Sequence, residues 1–326
     1  MNTVKIGIIG TGWIAEKMAI TLEGMEGVEA YAVASRQLQT ACDFADRWGF
    51  TRTYGSYEEM LDDEEVELVY IATPHSHHFE HARMSLLKGK AVLCEKAFTA
   101  NARQAEELLN LAKEKELFIT EAIWTRYMPL SHTINDLVTS GIIGRPMTLS
   151  ANLGYPIGNR ERLRQPALAG GALLDLGVYA LNFASMVFGT DVERVTSTCV
   201  KTDTGVDAQN SITLTFKDGK IAVLHSSMLS MTDRQGIISG DKGHLIIENI
   251  NNPQRIRVVT EDYKTAVVYN CPPQITGYEY QVYASMEALR NGWLESPYMP
   301  HAETLRIMRM MDDLRREWGV HYPADE

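Results

Sequence analysis

The sequence is short of cysteine and of positive charge. Its only cysteines are Cys42, Cys94, Cys199 and Cys271, scattered with no CxxC pair. Neither a disulfide framework nor a cysteine metal site is indicated; reduced, mostly buried thiols in a cytoplasmic protein are expected. Lysine and arginine total 31 against 42 acidic residues, a formal net charge of −11. A general nucleic-acid binder needs a basic surface to neutralise phosphates, so that class is excluded. An anionic cofactor is not excluded, because it needs only a local nest of donors. A stretch of about 20 apolar residues, the length of a membrane span, is also lacking. The N-terminal apolar run passes straight into Gly10, without the h-region and cleavage site of a signal peptide.

The remaining composition is that of a globular protein, 45 % hydrophobic and 22 % charged over 326 residues. At roughly 100–200 residues per domain, two domains are expected. Residues 1–122 alternate short β-branched apolar runs with helical stretches. Val4–Ile9, Glu29–Ala34, Glu67–Ala72, Ala91–Cys94 and Leu117–Thr120 read as strands. Leu38–Trp48, Tyr57–Leu61, His77–Leu87 and Asn101–Glu116 read as helices. That alternation predicts a doubly wound parallel sheet, an α/β Rossmann domain. Over 123–326 the pattern changes. After helices at Ser131–Ser140 and Gly170–Phe188 come strands from Val192 to Tyr269, several of alternating polarity, and two closing helices. This predicts an α+β domain with a large, open, mostly antiparallel sheet. The C-terminal helix has the option of packing back on the first domain.

Gly10-Thr11-Gly12-Trp13-Ile14-Ala15 sits between the first strand and the first helix. Gly10 permits a tight turn. Gly12 removes a side chain where a pyrophosphate must approach the backbone, and Ala15 lets helix pack close to strand. The helix N-terminus, with the amides of Trp13 and Ile14, faces the phosphates. In this context the motif predicts dinucleotide binding. An NAD site wants an acid at the end of the second strand, but this one ends Ala34-Ser35-Arg36. Ser35 and Arg36 suit a 2′-phosphate, so NADP is preferred over NAD.

Thr73-Pro74-His75-Ser76-His77-His78, with His81, resembles a metal cluster, but no HExxH and no acid of suitable spacing accompanies it. No metal is expected. The loop follows a parallel strand, so Thr73, Pro74, His75 and His78 are expected to line the cofactor cleft, and His81 to lie on the helix surface. Glu95 and Lys96 end another strand at the same sheet edge. A lysine partly removed from water beside a cationic nicotinamide suits acid–base work, and Glu95 either binds the ribose or orients Lys96. In Gly170-Gly171-Ala172-Leu173-Leu174-Asp175-Leu176-Gly177-Val178-Tyr179, Asp175 and Tyr179 are four apart on one face of an apolar helix. A buried carboxylate and phenol need partners, and a substrate hydroxyl and Lys96 are natural ones.

These motifs, in this order and spacing, resemble the Gfo/Idh/MocA oxidoreductase family across the whole chain. Glu121-Ala122-Ile123-Trp124-Thr125-Arg126 and Ser185-Met186-Val187-Phe188-Gly189 resemble the branch that oxidises diols or pentoses with NADP. The resemblance implies that Lys96 is the central acid–base lysine and that Asp175 orients substrate. It implies that Tyr179 gives or takes the proton with Lys96, and that Trp124 and Arg126 line the nicotinamide and substrate pocket. It also implies that the open sheet is a homodimer face. The sequence departs from the family at Glu95-Lys96-Ala97, where proline is usual, and at Thr73-Pro74-His75, where asparagine is usual. Tyr155, Arg160, Arg162, Arg164 and Tyr280 are further substrate candidates from position alone. The expected activity is NAD(P)-dependent hydride transfer to or from a sugar, inositol-like or cyclic diol substrate. The alternatives are an NADP-binding sensor without turnover and an enzyme using bound cofactor as a transient redox carrier.

Overall fold

The computed structural model describes residues 3–326. It divides into two compact units, one running to Ile123 and resuming over Gln274–Arg309, the other formed by Trp124–Pro273 and Met310–Glu326.

The first unit opens with β1 (Val4–Ile9), α1 (Trp13–Glu23), β2 (Val28–Ala34), α2 (Leu38–Trp48), β3 (Arg52–Tyr54) and α3 (Tyr57–Leu61). It continues with β4 (Leu68–Ile71), α4 (His75–Leu87), β5 (Ala91–Glu95), α5 (Ala102–Glu114) and β6 (Ile119–Ala122). The strands form one parallel sheet in the order β3-β2-β1-β4-β5-β6. Every residue of β4, β5 and β6 is buried, as a sheet covered on both faces requires. Local signals set the helix ends. Ser56 Oγ caps α3 through the Glu59 amide, Asn101 Oδ1 caps α5 through the Gln104 amide, and Gly49 closes α2 in the left-handed region. Strand order reverses between β1 and β4, and in such sheets ligands bind outside the carboxyl ends of the strands at that point.

Three expectations change in this unit. β3 is an additional, three-residue strand, too short to show a pattern. α4 begins at His75, directly after Pro74, so the histidines sit on a helix rather than in a loop. His81 is buried, its ring 4.6 Å from that of Tyr57 and its Nδ1 3.0 Å from Thr73 Oγ1, so it is no surface residue. The expected second domain over 123–326 is also interrupted. α9 (Glu279–Asn291) belongs to the first unit, burying Val282, Met286 and Ala288 in the same cluster as Val4, Ile6 and Met25. Its buried Glu279 carboxylate accepts from the amides of Ile275, Thr276 and Gly277, which fixes its start. The division falls inside the last helix, α10 (His301–Trp318), after Arg309.

The second unit holds α6 (Pro129–Thr139), β7 (Pro146–Gly154), α7 (Glu161–Arg164), a π-helical turn at Leu173–Gly177 and α8 (Val178–Phe188). Then come β8 (Val192–Lys201), β9 (Asp207–Phe216), β10 (Ile221–Ser227), β11 (Gly236–Gly240), β12 (Gly243–Glu248), β13 (Arg255–Thr260) and β14 (Thr265–Asn270). The sheet order is β14-β13-β12-β11-β7-β10-β9-β8, antiparallel except for β7 beside β10. β7 was not expected from sequence. Proline opens it, and its outward positions Thr148, Ser150 and Asn152 leave only Leu149, Ala151 and Leu153 to mark it. The row Leu214, Ala222, Leu149, Ile238, Leu245 and Val258 is buried, and α8 packs against β7 and β10. The opposite row, with Thr213, Val223, Ser150, Ile237 and Ile246, is only partly covered.

Contrary to the sequence reading, one run, Pro166–Phe188, is long and apolar enough to cross a membrane by length and composition. Of its most apolar window, 83 % is buried inside the protein, and it carries the buried Asp175 and Asn182, so it is a core segment here.

Candidate active site

The glycines of the first turn serve different ends. Gly10 has φ +104°, and a Cβ there would lie 2.9 Å from the Ala72 carbonyl oxygen. Conformation and close packing both demand glycine. Gly12 has an ordinary φ of −81°, and a Cβ on it would meet no atom within 4 Å. Nothing among the described residues explains its missing side chain, and the space fits an approaching pyrophosphate. No side chain caps the N-terminus of α1, Ala15 is buried against the sheet, and Trp13 is exposed beside Thr11 and the half-buried Ile14. At the end of β2 the Ser35 amide donates to the Tyr54 carbonyl at 3.2 Å. Arg36 is exposed and makes no ion pair or hydrogen bond among the described residues, and no acid stands beside it at the strand end. A free cation there fits a 2′-phosphate. These residues therefore fit a nicotinamide dinucleotide.

The next strand ends are braced from within. His78 is fully buried, with Nε2 2.8 Å from the Thr73 carbonyl and Nδ1 2.8 Å from the Ala97 carbonyl. Burial pushes its pKa down to about 4 despite those contacts. Its ring ties the loop after β4 to the loop after β5 instead of lining an open cleft. His75, also buried, sets its ring at 84° to that of His78. Among the described residues no three His, Cys, Asp or Glu side chains are gathered as a metal site. Glu95 is buried and accepts from the Tyr70 hydroxyl and, at 3.3 Å, from the Lys96 amide. Glu95 thus meets the backbone of Lys96. Lys96 is half-buried, and the Lys96–Ala97 peptide is cis.

In the second unit the Gly170–Gly171 turn leads into the π-turn, and the expected continuous helix is widened there. Asp175 is 5 % exposed and Tyr179 7 %. Asp175 Oδ1 accepts from Arg162 Nη1 at 3.2 Å, which offsets the cost of burying the carboxylate. The Tyr179 hydroxyl accepts from Trp124 Nε1 at 3.0 Å, and an N–H donor there stabilises negative charge on the phenol oxygen. Arg126 is anchored to α8, donating from Nε to Asn182 Oδ1 at 2.6 Å and from Nη2 to Ser185 Oγ at 3.4 Å. Tyr155 accepts from Arg234 Nη1 at 3.2 Å, beneath whose guanidinium its ring lies.

The remaining positional candidates separate. Arg162 meets Asp175; Arg164 pairs with the exposed Asp203; Arg160 is exposed at the start of α7; Tyr280 falls in α9 of the first unit. Sequence reasoning missed Asn182 and Asp207. Asn182, an amide three residues past Tyr179 in an apolar helix, carried a usable signal.

Residues 4–122 match the model of the oxidoreductase family with an NAD-binding Rossmann fold, and residues 131–246 match the GFO/IDH/MocA C-terminal domain. The chain belongs to the GFO/IDH/MocA oxidoreductase family. This family member is 33 % identical over 333 residues to trans-1,2-dihydrobenzene-1,2-diol dehydrogenase of Mus musculus, with 98 % of each chain covered. It is 35 % identical to D-xylose 1-dehydrogenase (NADP+) of Hypocrea jecorina, covering 98 % of this chain and 93 % of that one. A 3-ketoreductase from Actinomadura kijaniata, solved with NADP and TDP-benzene, superposes with a TM-score of 0.88 at 26 % identity, over 97 % of this chain and 98 % of that one. The GFO/IDH/MocA protein described here is an NAD(P)-dependent oxidoreductase acting on a CH–OH group. When bound, the nicotinamide supplies or accepts the hydride; the protein's residues orient the reactants and handle the proton.

Replacing Gly12 by valine is expected to weaken dinucleotide binding at least about tenfold, by filling the pyrophosphate's place. Because no described atom lies within 4 Å of a Cβ there, the melting temperature should fall only by the few degrees that a poorer helix cap costs. Fluorescence titration with NADPH and a thermal melt check both.

Proposed function

We propose that this oxidoreductase prefers NADP and interconverts a secondary alcohol and its carbonyl on a sugar, inositol-like or cyclic diol substrate. The observation that carries the reading is the pairing of two buried polar groups around the π-turn, Asp175 with Arg162 and Tyr179 with Trp124. Such groups are costly to bury and suit a ligand with hydroxyls to orient. The mouse and Hypocrea relatives act on a diol and on xylose by their names, which supports that class. Crystallised variants of the Actinomadura ketoreductase replace a lysine and a tyrosine, the residue types this reading relies on.

In the oxidation direction Asp175 accepts a hydrogen bond from the substrate hydroxyl and fixes its orientation. Tyr179 takes the hydroxyl proton as hydride leaves the carbinol carbon, and Lys96 shares the acid–base work. Trp124 holds the phenol and Glu95 the backbone of Lys96. Gly10, Gly12 and the α1 amides hold the pyrophosphate, Ser35 and Arg36 the 2′-phosphate, and Thr73, Pro74 and His75 the neighbouring wall. The four free thiols support a reducing, cytoplasmic location.

The partly covered sheet face supports a homodimer. Ile221 and Val223 are 40 % and 47 % exposed on one face of β10, flanked on the neighbouring strands by Thr215 and Thr148 and by Thr213 and Ser150. A second copy of the same face would bury them.

A screen of sugars and cyclic diols, read as NADPH absorbance, tests the activity. Tyr179→Phe and Lys96→Met should each lower kcat by about 100-fold or more, the scale of a lost acid–base group, with the NADPH Kd little changed. Near-normal turnover in both would refute the roles. Arg36→Ala should raise the Kd for NADP about tenfold and leave that for NAD alone, as loss of a charge-assisted contact requires. Sedimentation equilibrium should show a dimer that Val223→Glu converts to monomer; a wild-type monomer would refute the sheet face.

A further inference from the structure

A buried acid lies beneath the π-turn, and the chemistry above does not use it. Asp207, at the start of β9, is fully buried. Its Oδ2 accepts from the Leu173 amide at 2.7 Å and from Asn210 Nδ2 at 2.9 Å. Leu173 is the first residue of the π-turn. The other oxygen, Oδ1, has no hydrogen-bond partner among the described residues. It abuts Gly171, where φ is +115° and a Cβ would lie 2.2 Å from it. Asn210 Oδ1 in turn accepts from Ser226 Oγ at 2.8 Å. Ser226 Oγ lies 3.2 Å from where a Cβ on Gly177, the last residue of the turn, would be. The buried line Asp207–Asn210–Ser226 thus underlies the turn from its first residue to its last.

The entrance is held from the other side too. The Tyr322 hydroxyl donates to the Gly170 carbonyl. Arg315, paired with Asp312 and Asp325, stacks 4.2 Å over the Tyr322 ring.

A carboxylate is an expensive filler for this space, since burial disfavours its charge and raises its pKa to about 6. Arg315 from α10 and the hydrogen bonds of Leu173 and Asn210 pull the other way; Tyr322 and Cys199 are the other titratable groups that feel its charge. An apolar residue would pack there more cheaply but would leave the Leu173 amide, one of the unpaired donors of a helix start, without an acceptor.

We propose that Asp207 is a positioning residue: through the Leu173 amide and the Gly170–Gly171 turn it fixes the π-turn register that aims Asp175 and Tyr179. The proposal rests on those two residues doing the chemistry. Register matters because one residue gained or lost in a helical turn rotates the rest of the helix by about 100°. Asp175 lies inside the turn and Tyr179 just after it, so relaxation to an α-helical turn would aim one away from the other.

The test uses the full-length enzyme with NADP. Asp207→Asn keeps the shape and one acceptor oxygen; Asp207→Ala removes both ties. Kcat should fall about tenfold in the first and about 100-fold in the second, the scale of a misplaced reacting group. The NADPH Kd should stay within about twofold, since the dinucleotide residues lie elsewhere in the chain. In a Tyr179→Phe background the Asp207→Asn penalty should shrink to clearly below tenfold, because one of the two groups it aims is gone. Emission from Trp124, read as the difference from matched Trp124→Phe variants, should shift in Asp207→Asn without substrate. Full kcat in Asp207→Asn beside an inactive Tyr179→Phe overturns the positioning role alone. The positioning role falls equally if the penalty persists undiminished in the double variant, or if NADPH binding is lost in parallel. A fully active Tyr179→Phe overturns the site reading and this proposal with it.

Discussion

The turn after β1 leaves no room for a side chain at its first position. Gly10 lies against the Ala72 carbonyl at the end of the neighbouring strand and holds a positive φ. That one close approach lets β1 and β4 run side by side to their carboxyl ends while the chain reverses into α1. The order β3-β2-β1-β4-β5-β6 turns at this pair, so the uncapped end of α1, Arg36 after β2 and Lys96 after β5 share one sheet edge. That edge, not net charge, is where a dinucleotide would be met. A charge of −11 is compatible with an NAD-binding family, because an anionic cofactor needs only a local nest of donors such as the amides that open α1.

The side chains proposed for the chemistry are held by buried polar pairs. Tyr70 and Glu95 hold the backbone of Lys96, Trp124 holds Tyr179, and Arg162 holds Asp175. Each pair satisfies a group that would be costly to bury alone, and each fixes a rotamer at the same time. His78 does similar work between two loops, and Asp207 beneath the π-turn. Away from these places the core is conventional, with β4, β5 and β6 fully buried in the first unit and one buried sheet face in the second.

Much of this was legible in the chain. Fully buried parallel strands read as apolar runs, and Gly49, Ser56 and Asn101 mark their helix ends by local chemistry that needs no distant partner. Gly10-x-Gly12-x-x-Ala15 was legible because strand, turn and helix are contiguous. β7 was not, since its outward side is Thr148, Ser150 and Asn152 and its identity as a strand comes from β10 and β11 on either side. His81 was misread because α4 has no clean apolar face; the ring of Tyr57, not the helix pattern, buries it. The π-turn was invisible because its cause, the Asp207 carboxylate, is 34 positions from Leu173.

By itself, then, the sequence determined the two fold classes, the dinucleotide turn and the absence of an acid after β2, and it singled out Lys96, Asp175 and Tyr179 as candidates. All of these are local strings or simple periodicities. Only the tertiary structure decided that α9 completes the core of the first unit, that Arg162 rather than Arg164 meets Asp175, and that Gly12 faces open space where Gly10 faces a carbonyl. Those outcomes depend on which distant surfaces bury each other, and residue type constrains burial without naming the partner.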